Sequence, residues 1–153
     1  MRHAKIKKFK KFSAQHFKVG LVVTQFNANI SAKLLASAKN MLALYKVPSK
    51  NITIVTVAGC VEIPVVLQAL ASAKTYSCLV ALGSVIRGAT THYDYVCKII
   101  SEGVLRVMLD HTIPVGFGIL TVENNQQALE RSSLGGAAVA AALESARKIQ
   151  KIS

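Results

Sequence analysis

Cys78-Leu-Val-Ala-Leu-Gly-Ser-Val-Ile-Arg-Gly-Ala-Thr-Thr-His-Tyr-Asp-Tyr95 begins as an apolar run and changes character at Arg87. Cys78–Ile86 reads as a strand. The loop beyond it carries Gly88, Ala89, Thr90 and Thr91, and a helix follows with an apolar face at Val96, Ile99, Ile100, Val104 and Val107, ending near Asp110. In a parallel α/β unit this junction is the carboxyl end of a strand, where free backbone N–H groups, hydroxyls and a helix N-terminus converge on a ligand, often an anion. His92 stands where the helix begins, and imidazole is the side chain best suited to moving protons near neutral pH. Taken alone, the stretch equally describes an ordinary strand-to-helix turn with a surface histidine.

The same alternation extends along the chain. Val19-Gly-Leu-Val-Val-Thr24 is a short β-branched run that reads as a buried strand. It ends in Gln25-Phe26-Asn27-Ala28-Asn29, with Asn29 the expected cap of a helix whose apolar positions are Ile30, Leu34, Ala38, Met41, Leu42 and Tyr45. Phe26 is then a loop aromatic, either a core plug or a stacking platform. Asn51–Val57 is a second strand running into Ala58-Gly-Cys-Val-Glu-Ile-Pro64, where Pro64 suits the first turn of a helix that continues to Ala73. Glu62 lies at this junction, as a helix-start acid or as an acceptor for polyol hydroxyls. Pro114–Leu120 is a fourth strand whose glycines mark a bulge or a close approach. A helix from about Glu123 to Ser132 carries Arg131 in its last turn. Gly135-Gly136 should then break or kink the path before an alanine-rich helix from Ala137 to about Lys148, whose small side chains permit close packing within or between subunits. Four strand–helix repeats predict an α/β protein, a three-layer αβα sandwich on a four-stranded parallel sheet.

Composition narrows the class. The 153 residues, 52% hydrophobic and only 17% charged, can bury a real core and leave more apolar surface than a small monomer should show, which suggests an oligomer. No apolar stretch reaches the roughly 18 residues that span a bilayer, so a soluble, cytoplasmic protein without a membrane partner is expected. Of nineteen basic residues, seven fall in the first eighteen positions (Arg2, Lys5, Lys7, Lys8, Lys10, Lys11, Lys18), and the net charge is +12. The division expected is a basic arm over residues 1–17 and a domain over 18–153. Such an arm could meet nucleic acid, an anionic membrane or a targeting receptor, or simply be solvated. Beyond it the basic residues are scattered, which does not favour a nucleic-acid interface. No apolar core of a secretory signal follows the arm, while a basic stretch without acids leaves an organellar presequence open. Cys60, Cys78 and Cys97 form no C-x-x-C pair and no zinc-finger spacing, pointing to a reducing compartment. Cys60 is a small, partly buried residue or a nucleophilic thiol. Dinucleotide, P-loop, serine-hydrolase and zincin motifs do not occur.

Read together, the loops resemble the 6,7-dimethyl-8-ribityllumazine synthase family from about Lys18 to Glu144. The resemblance is carried by Phe26-Asn27, Gly59-x-x-Glu62-Ile-Pro64, Ala81-Leu-Gly-x-Val-Ile-Arg-Gly-Ala-Thr-Thr-His-Tyr-Asp-Tyr-Val96, Pro114-Val-x-Phe-Gly-x-Leu-Thr121 and Gln127-Ala-x-x-Arg131. It implies a flavodoxin-like fold and a condensation of 5-amino-6-(D-ribitylamino)uracil with 3,4-dihydroxy-2-butanone 4-phosphate, a step of riboflavin biosynthesis that needs no cofactor and no metal. By resemblance His92 is the proton-transfer residue. Arg131 anchors the phosphate, aided by Ala89 and Thr90. Phe26 stacks on the pyrimidine, Glu62 binds the ribityl hydroxyls with the backbone of Cys60 and Val61, and Ser84, Val85 and Ile86 line the ring edge. Phe117 and Arg131 reach the pocket from a neighbouring subunit. The resemblance thus implies a homo-oligomer with shared sites, a pentamer or a sixty-subunit icosahedral shell, and riboflavin synthase as a candidate partner.

Three positions depart from the family pattern. Val61 stands where an aromatic is usual, Gln126-Gln127 replaces a Glu-Gln pair, and the segment after Arg131 is shorter, its usual Asn-Lys absent at Ser132-Ser-Leu-Gly-Gly136. A lysine that would assist phosphate binding is therefore missing. A non-catalytic lumazine- or flavin-binding relative of the same fold is the alternative, one that would not need His92 and Arg131 together.

Overall fold

The computed structural model describes residues 10–153. β1 (Val19–Thr24) leads to α1 (Ala28–Leu44), β2 (Ile52–Val57) to α2 (Ile63–Ser72), β3 (Cys78–Ile86) to α3 (His92–His111), and β4 (Val115–Val122) to α4 (Asn125–Glu130) and α5 (Leu134–Ile152). Every strand pairing is parallel, in the order β2-β1-β3-β4. All of β1, and β3 as far as Val85, is buried, because both faces are covered by helices. Leu21, Val23, Val80 and Leu82 pack under α1 and α5, whereas Val22, Leu79 and Ala81 pack under α2 and α3. This is the expected three-layer αβα sandwich, with the strand order of flavodoxin-like sheets. Among the described residues, no helix is long and apolar enough to cross a membrane.

Local departures from the sequence expectations have physical causes. Helix α1 begins at Ala28 with Asn27 at its N-cap, two residues before the expected Asn29, because Asn27 takes the left-handed conformation (φ 57°, ψ 54°) and turns the chain there. Strand β4 continues to Val122, since Thr121 and Val122 still pair with Val85 and Ile86. On α3 the buried stripe is Val96, Ile100, Val104 and Val107, while Ile99 is 45% exposed.

The largest correction concerns Gly135-Gly136, which does not break the helix. Helix α5 runs through both from Leu134, and both are buried. The glycines serve proximity: a Cβ on Gly135 would fall on the Leu34 backbone carbonyl of α1, and one on Gly136 would sit 3.0 Å from Ser37 Oγ. Ser37 Oγ in turn accepts the Gly136 N–H at 2.9 Å. The small residues therefore join α1 and α5 within one chain.

Of the basic stretch 1–17, residues 1–9 lie outside the described residues. Ala14 and Phe17 are buried, the Ala14 N–H donates to the Tyr45 carbonyl at 2.7 Å, and Phe12 packs edge-on against Phe17 and Tyr45. The Arg147 guanidinium lies 4.7 Å from the Phe12 ring centre. Residues 12–17 thus pack on the α1/α5 face.

Gly135→Ala is expected to cost about 1–3 kcal/mol or more, because backbone rather than a flexible side chain blocks the new methyl. Gly88→Ala, where nothing lies within 4 Å of the added atom, should leave the urea midpoint nearly unchanged; equal midpoints for the two variants would refute the close-approach explanation.

Candidate active site

Strand order reverses between β1 and β3, so their carboxyl ends bound a crevice at the topological switch point. β3 outruns β1 there. Pairing between them ends at Val23 and Leu82, whereas Ser84, Val85 and Ile86 pair with β4 alone. The β1-facing side of these three residues is therefore free to form a floor. Gly83 lets the strand ends converge: a Cβ would meet Thr24 Cγ2 at 2.8 Å and Cys60 Sγ at 3.1 Å.

Each wall is held by short-range bonds. Beyond β1, the Gln25 and Phe26 N–H groups donate to Val57 and Ala58 carbonyls at 2.8 and 3.0 Å, which holds Phe26 at the mouth. It is 71% exposed there, which excludes a core plug and leaves an open aromatic face. Asn27 Nδ2 donates to Ser84 Oγ at 3.2 Å, tying this loop to β3, and the buried Thr24 and Ser31 hydroxyls meet at 2.9 Å beneath it. At the β2 corner the Gly59 N–H donates to Glu62 Oε2 at 3.0 Å. Glu62 is also the N-cap of α2, with Pro64 in the first turn as expected. The helix-start role and a hydroxyl-binding role are compatible, since the second carboxylate oxygen remains for a ligand.

Cys60 Sγ lies 3.7 Å from the Ser84 carbonyl, to which the thiol donates. Burial first, then the nearby Cys97 and Glu62, pushes this thiol up to about 12. It stays protonated at neutral pH, which removes the nucleophile reading. Cys78, buried at the start of β3, is likewise pushed up to about 12 by its burial.

His92 is the first residue of α3, exposed, with its N–H 3.4 Å from Thr90 Oγ1. A cavity of about 530 Å³ connects all these walls: Phe26, the backbone and side chains from Gly59 to Glu62, the floor Ser84, Val85 and Ile86, and Gly88, Thr90 and His92. Tyr93 and Val96 also line it. Sequence reasoning did not place these two or Asn27 in the site. Val96 was legible in principle, because it lies four residues after His92 on the same face of α3.

Three expected site residues are not brought to this cavity by the single chain. Ala89 is exposed in the turn without lining it. Phe117, opposite Ala81 on the edge strand, borders a separate apolar groove with Leu109 and Ala142. Arg131 ends α4, its Nη1 donating to the Gln127 carbonyl at 3.0 Å and lying 3.7 Å from Glu130, with the side chain 54% exposed. The cavity lining accordingly includes Glu62 and His92 but no lysine or arginine. Among the described residues, no cluster of three His, Cys, Asp or Glu side chains could hold a metal ion.

An open crevice at the carboxyl ends of a parallel sheet, holding a histidine, a carboxylate, hydroxyls and an exposed aromatic, is the kind of site in which α/β enzymes orient small polar substrates and relay protons. The model of the 6,7-dimethyl-8-ribityllumazine synthase family matches residues 16–150. A relative of that name from Desulfovibrio desulfuricans is 41% identical over 144 residues, 91% of this chain and 92% of the relative. The chain belongs to the 6,7-dimethyl-8-ribityllumazine synthase family, transferases that act on small molecules in the condensation step of riboflavin biosynthesis.

Thiol chemistry checks the burial at the floor. With Cys60 and Cys78 raised to about 12, the folded chain should offer a disulfide reagent at pH 8 at most one rapidly reacting thiol, and all three after denaturation. Both thiols ionise more readily in the unfolded chain, near 9.0. Their contribution to stability is therefore full below about pH 9 and is lost as pH rises towards 12; a denaturation midpoint that rose over this interval would contradict it.

Proposed function

We propose that the crevice between β1 and β3 is where the chain condenses 5-amino-6-(D-ribitylamino)uracil with 3,4-dihydroxy-2-butanone 4-phosphate, and that a neighbouring copy completes each site. One observation carries the shared-site reading. The cavity holds Glu62 and His92 without a cation, while Arg131 stands outside it with half its side chain exposed. A phosphate brought into such a cavity without a positive partner would meet only turn N–H groups and hydroxyls. Guanidinium supplies the missing charge in a fork suited to two phosphate oxygens.

The chemistry follows from the substrates. The pyrimidine brings its own amine, which attacks the ketone carbon; loss of water gives the imine. Removal of the C3 proton then expels phosphate from C4 and leaves an enol, which tautomerises to a new ketone at C3; the exocyclic ribitylamino nitrogen closes on that ketone with loss of water. The enzyme has to orient two molecules and relay protons, which is work for a shaped pocket and one imidazole. His92 relays these protons. Phe26 stacks on the pyrimidine, Glu62 accepts hydrogen bonds from the ribityl hydroxyls beside the Cys60 and Val61 backbone, and Ser84, Val85 and Ile86 meet the ring edge. Thr90 and Ala89 face the phosphate, with Arg131 and Phe117 supplied by the neighbour. The assembly is a homo-oligomer of shared sites, a pentamer or a sixty-subunit shell of pentamers, working in the cytoplasm ahead of riboflavin synthase, which uses the product.

Lumazine formation followed by its fluorescence tests this reading. His92→Ala should lower kcat by about 10²-fold, the low end for a positioned proton-transfer group, because the amine nucleophile comes with the substrate. Arg131→Ala should raise KM for the butanone phosphate by about 10-fold or more, the loss of a charge-assisted bond, and leave KM for the pyrimidine unchanged. Co-refolding the two variants should, at butanone phosphate well below the raised KM, give more activity than the mean of the separate variants, since some sites then pair an intact His92 with an intact Arg131 of the next subunit. Mixed assemblies no more active than the mean of their parents would sink the shared site.

A further inference from the structure

The turn from Gly88 to Thr91, which delivers His92, is exposed along its whole length. Its own hydrogen bonds are local: the His92 N–H reaches Thr90 Oγ1 at 3.4 Å, and the Asp94 N–H donates to the Thr91 carbonyl at 3.0 Å. Arg87, which lies outside the cavity lining, spans the turn from one end to the other. Its backbone N–H donates to the Val122 carbonyl at 2.9 Å. Its Nε donates to both Glu123 carboxylate oxygens, at 3.1 and 2.9 Å, and its Nη1 lies 3.6 Å from Asp94 in the first turn of α3. The guanidinium carbon sits 4.2 Å from the centre of the Tyr93 ring, which itself lines the cavity.

Glu123 is braced in its turn. Its N–H donates to Gln127 Oε1 at 2.8 Å, and the Gln127 N–H donates to Asn124 Oδ1 at 2.9 Å, the N-cap bond of α4. A chain of polar contacts therefore runs from the α4 N-terminus through Glu123 and Arg87 to the two residues that follow His92. Asp94 and Tyr93 are anchored directly, and His92 is the residue before them.

We propose that Arg87 is a positioning residue for the condensation: its guanidinium staples the first turn of α3 to the β4–α4 corner and thereby sets where the His92 imidazole stands over the cavity. The inference rests on His92 being the proton-transfer residue. Arginine is required because the contact is made three ways at once, an Nε–H shared between the two Glu123 oxygens, an Nη1 reaching to Asp94 and a planar face on Tyr93, which a lysine ammonium cannot reproduce. The side chains are substantially exposed, Arg87 by 43%, Asp94 by 63% and Glu123 by 58%. Exposed ion pairs add little to folding stability, whereas a misplacement of about 1 Å in a reacting group can cost on the order of 10²-fold in rate. The consequence of losing the staple falls on turnover.

The test is a double-mutant cycle on the assembled enzyme, with Arg87→Gln and Glu123→Gln each made in wild type and in His92→Ala. Each is expected to lower kcat about 10-fold or more in wild type, with KM for the pyrimidine and the melting temperature unchanged. Neither should lower kcat further once His92 is absent, because residues acting as one unit do not add. Arg87→Lys keeps the charge and should not rescue turnover. If Arg87→Gln does not fold, Glu123→Gln carries the same cycle, since it removes only the brace. Wild-type kcat in both variants, or the same loss with and without His92, overturns the positioning role. A His92→Ala enzyme with undiminished kcat would overturn the proton-transfer reading itself, and the positioning role with it; only in that outcome does the single His92 variant differ from expectation.

Discussion

The parallel pairing of β3 with β1 on one side and β4 on the other is the constraint on which the remaining structure depends. A parallel pair needs a crossover, the crossovers place helices on both faces, and a strand covered on both faces must be apolar throughout. Cys78–Ile86 meets that requirement at every position but Ser84, whose hydroxyl is bonded to Asn27 at the cavity end. The ladder then leaves one place where the central strand has no neighbour. Pairing with β1 stops at Leu82, β3 continues to Ile86, and the unpaired side of Ser84 to Ile86 becomes the cavity floor. The site is thus a product of unequal strand lengths at a point where the sheet changes direction, and the loops only furnish its walls.

Close approach is the second theme, achieved by subtracting side chains. Gly83 allows Thr24 and Cys60 to crowd the end of β3, and Gly135 allows the α1 backbone to touch α5. The first brings chemistry from β1, β2 and β3 within one cavity. The second fixes the layer that carries residues 12–17 on its outer side. Electrostatics is arranged in the opposite sense, by distance. The buried thiols are held neutral, Glu62 and His92 share the cavity, and the cations Arg87 and Arg131 are kept out of its lining, each engaged with a carboxylate of its own chain. A salt bridge to Glu123 therefore costs the site no positive charge it would otherwise have, and gives the turn beneath His92 a fixed attachment.

Most strands were legible because their apolar runs had nowhere else to go: Val19–Thr24 and Cys78–Ile86 are found where the sequence placed them. Helix faces were nearly as clear, except for Ile99, which periodicity could not separate from its neighbour Ile100. Asn29 was misread as a cap because a second asparagine two residues earlier could take a left-handed conformation, and φ is not written in composition. Gly135-Gly136 was misread for a related reason. Glycine signals either conformational freedom or missing bulk, and only the Leu34 carbonyl opposite decides for missing bulk.

The sequence by itself determined the layer architecture and the identity of the chemical groups, since periodicity and strand-end motifs are local properties that survive without a partner in view. Phe26, Glu62 and His92 could be nominated from their places at strand ends, Ser84 only through the family resemblance. What the tertiary structure decided is which of these meet. Register made Ser84 to Ile86 a floor, burial made Cys60 inert, and exposure made Phe26 a platform. It also set Arg87 between Glu123, Asp94 and Tyr93, a junction of residues up to 36 positions apart. Such contacts arise from chain closure across the sheet, and no local pattern encodes a distance between two elements that pack only after each has formed.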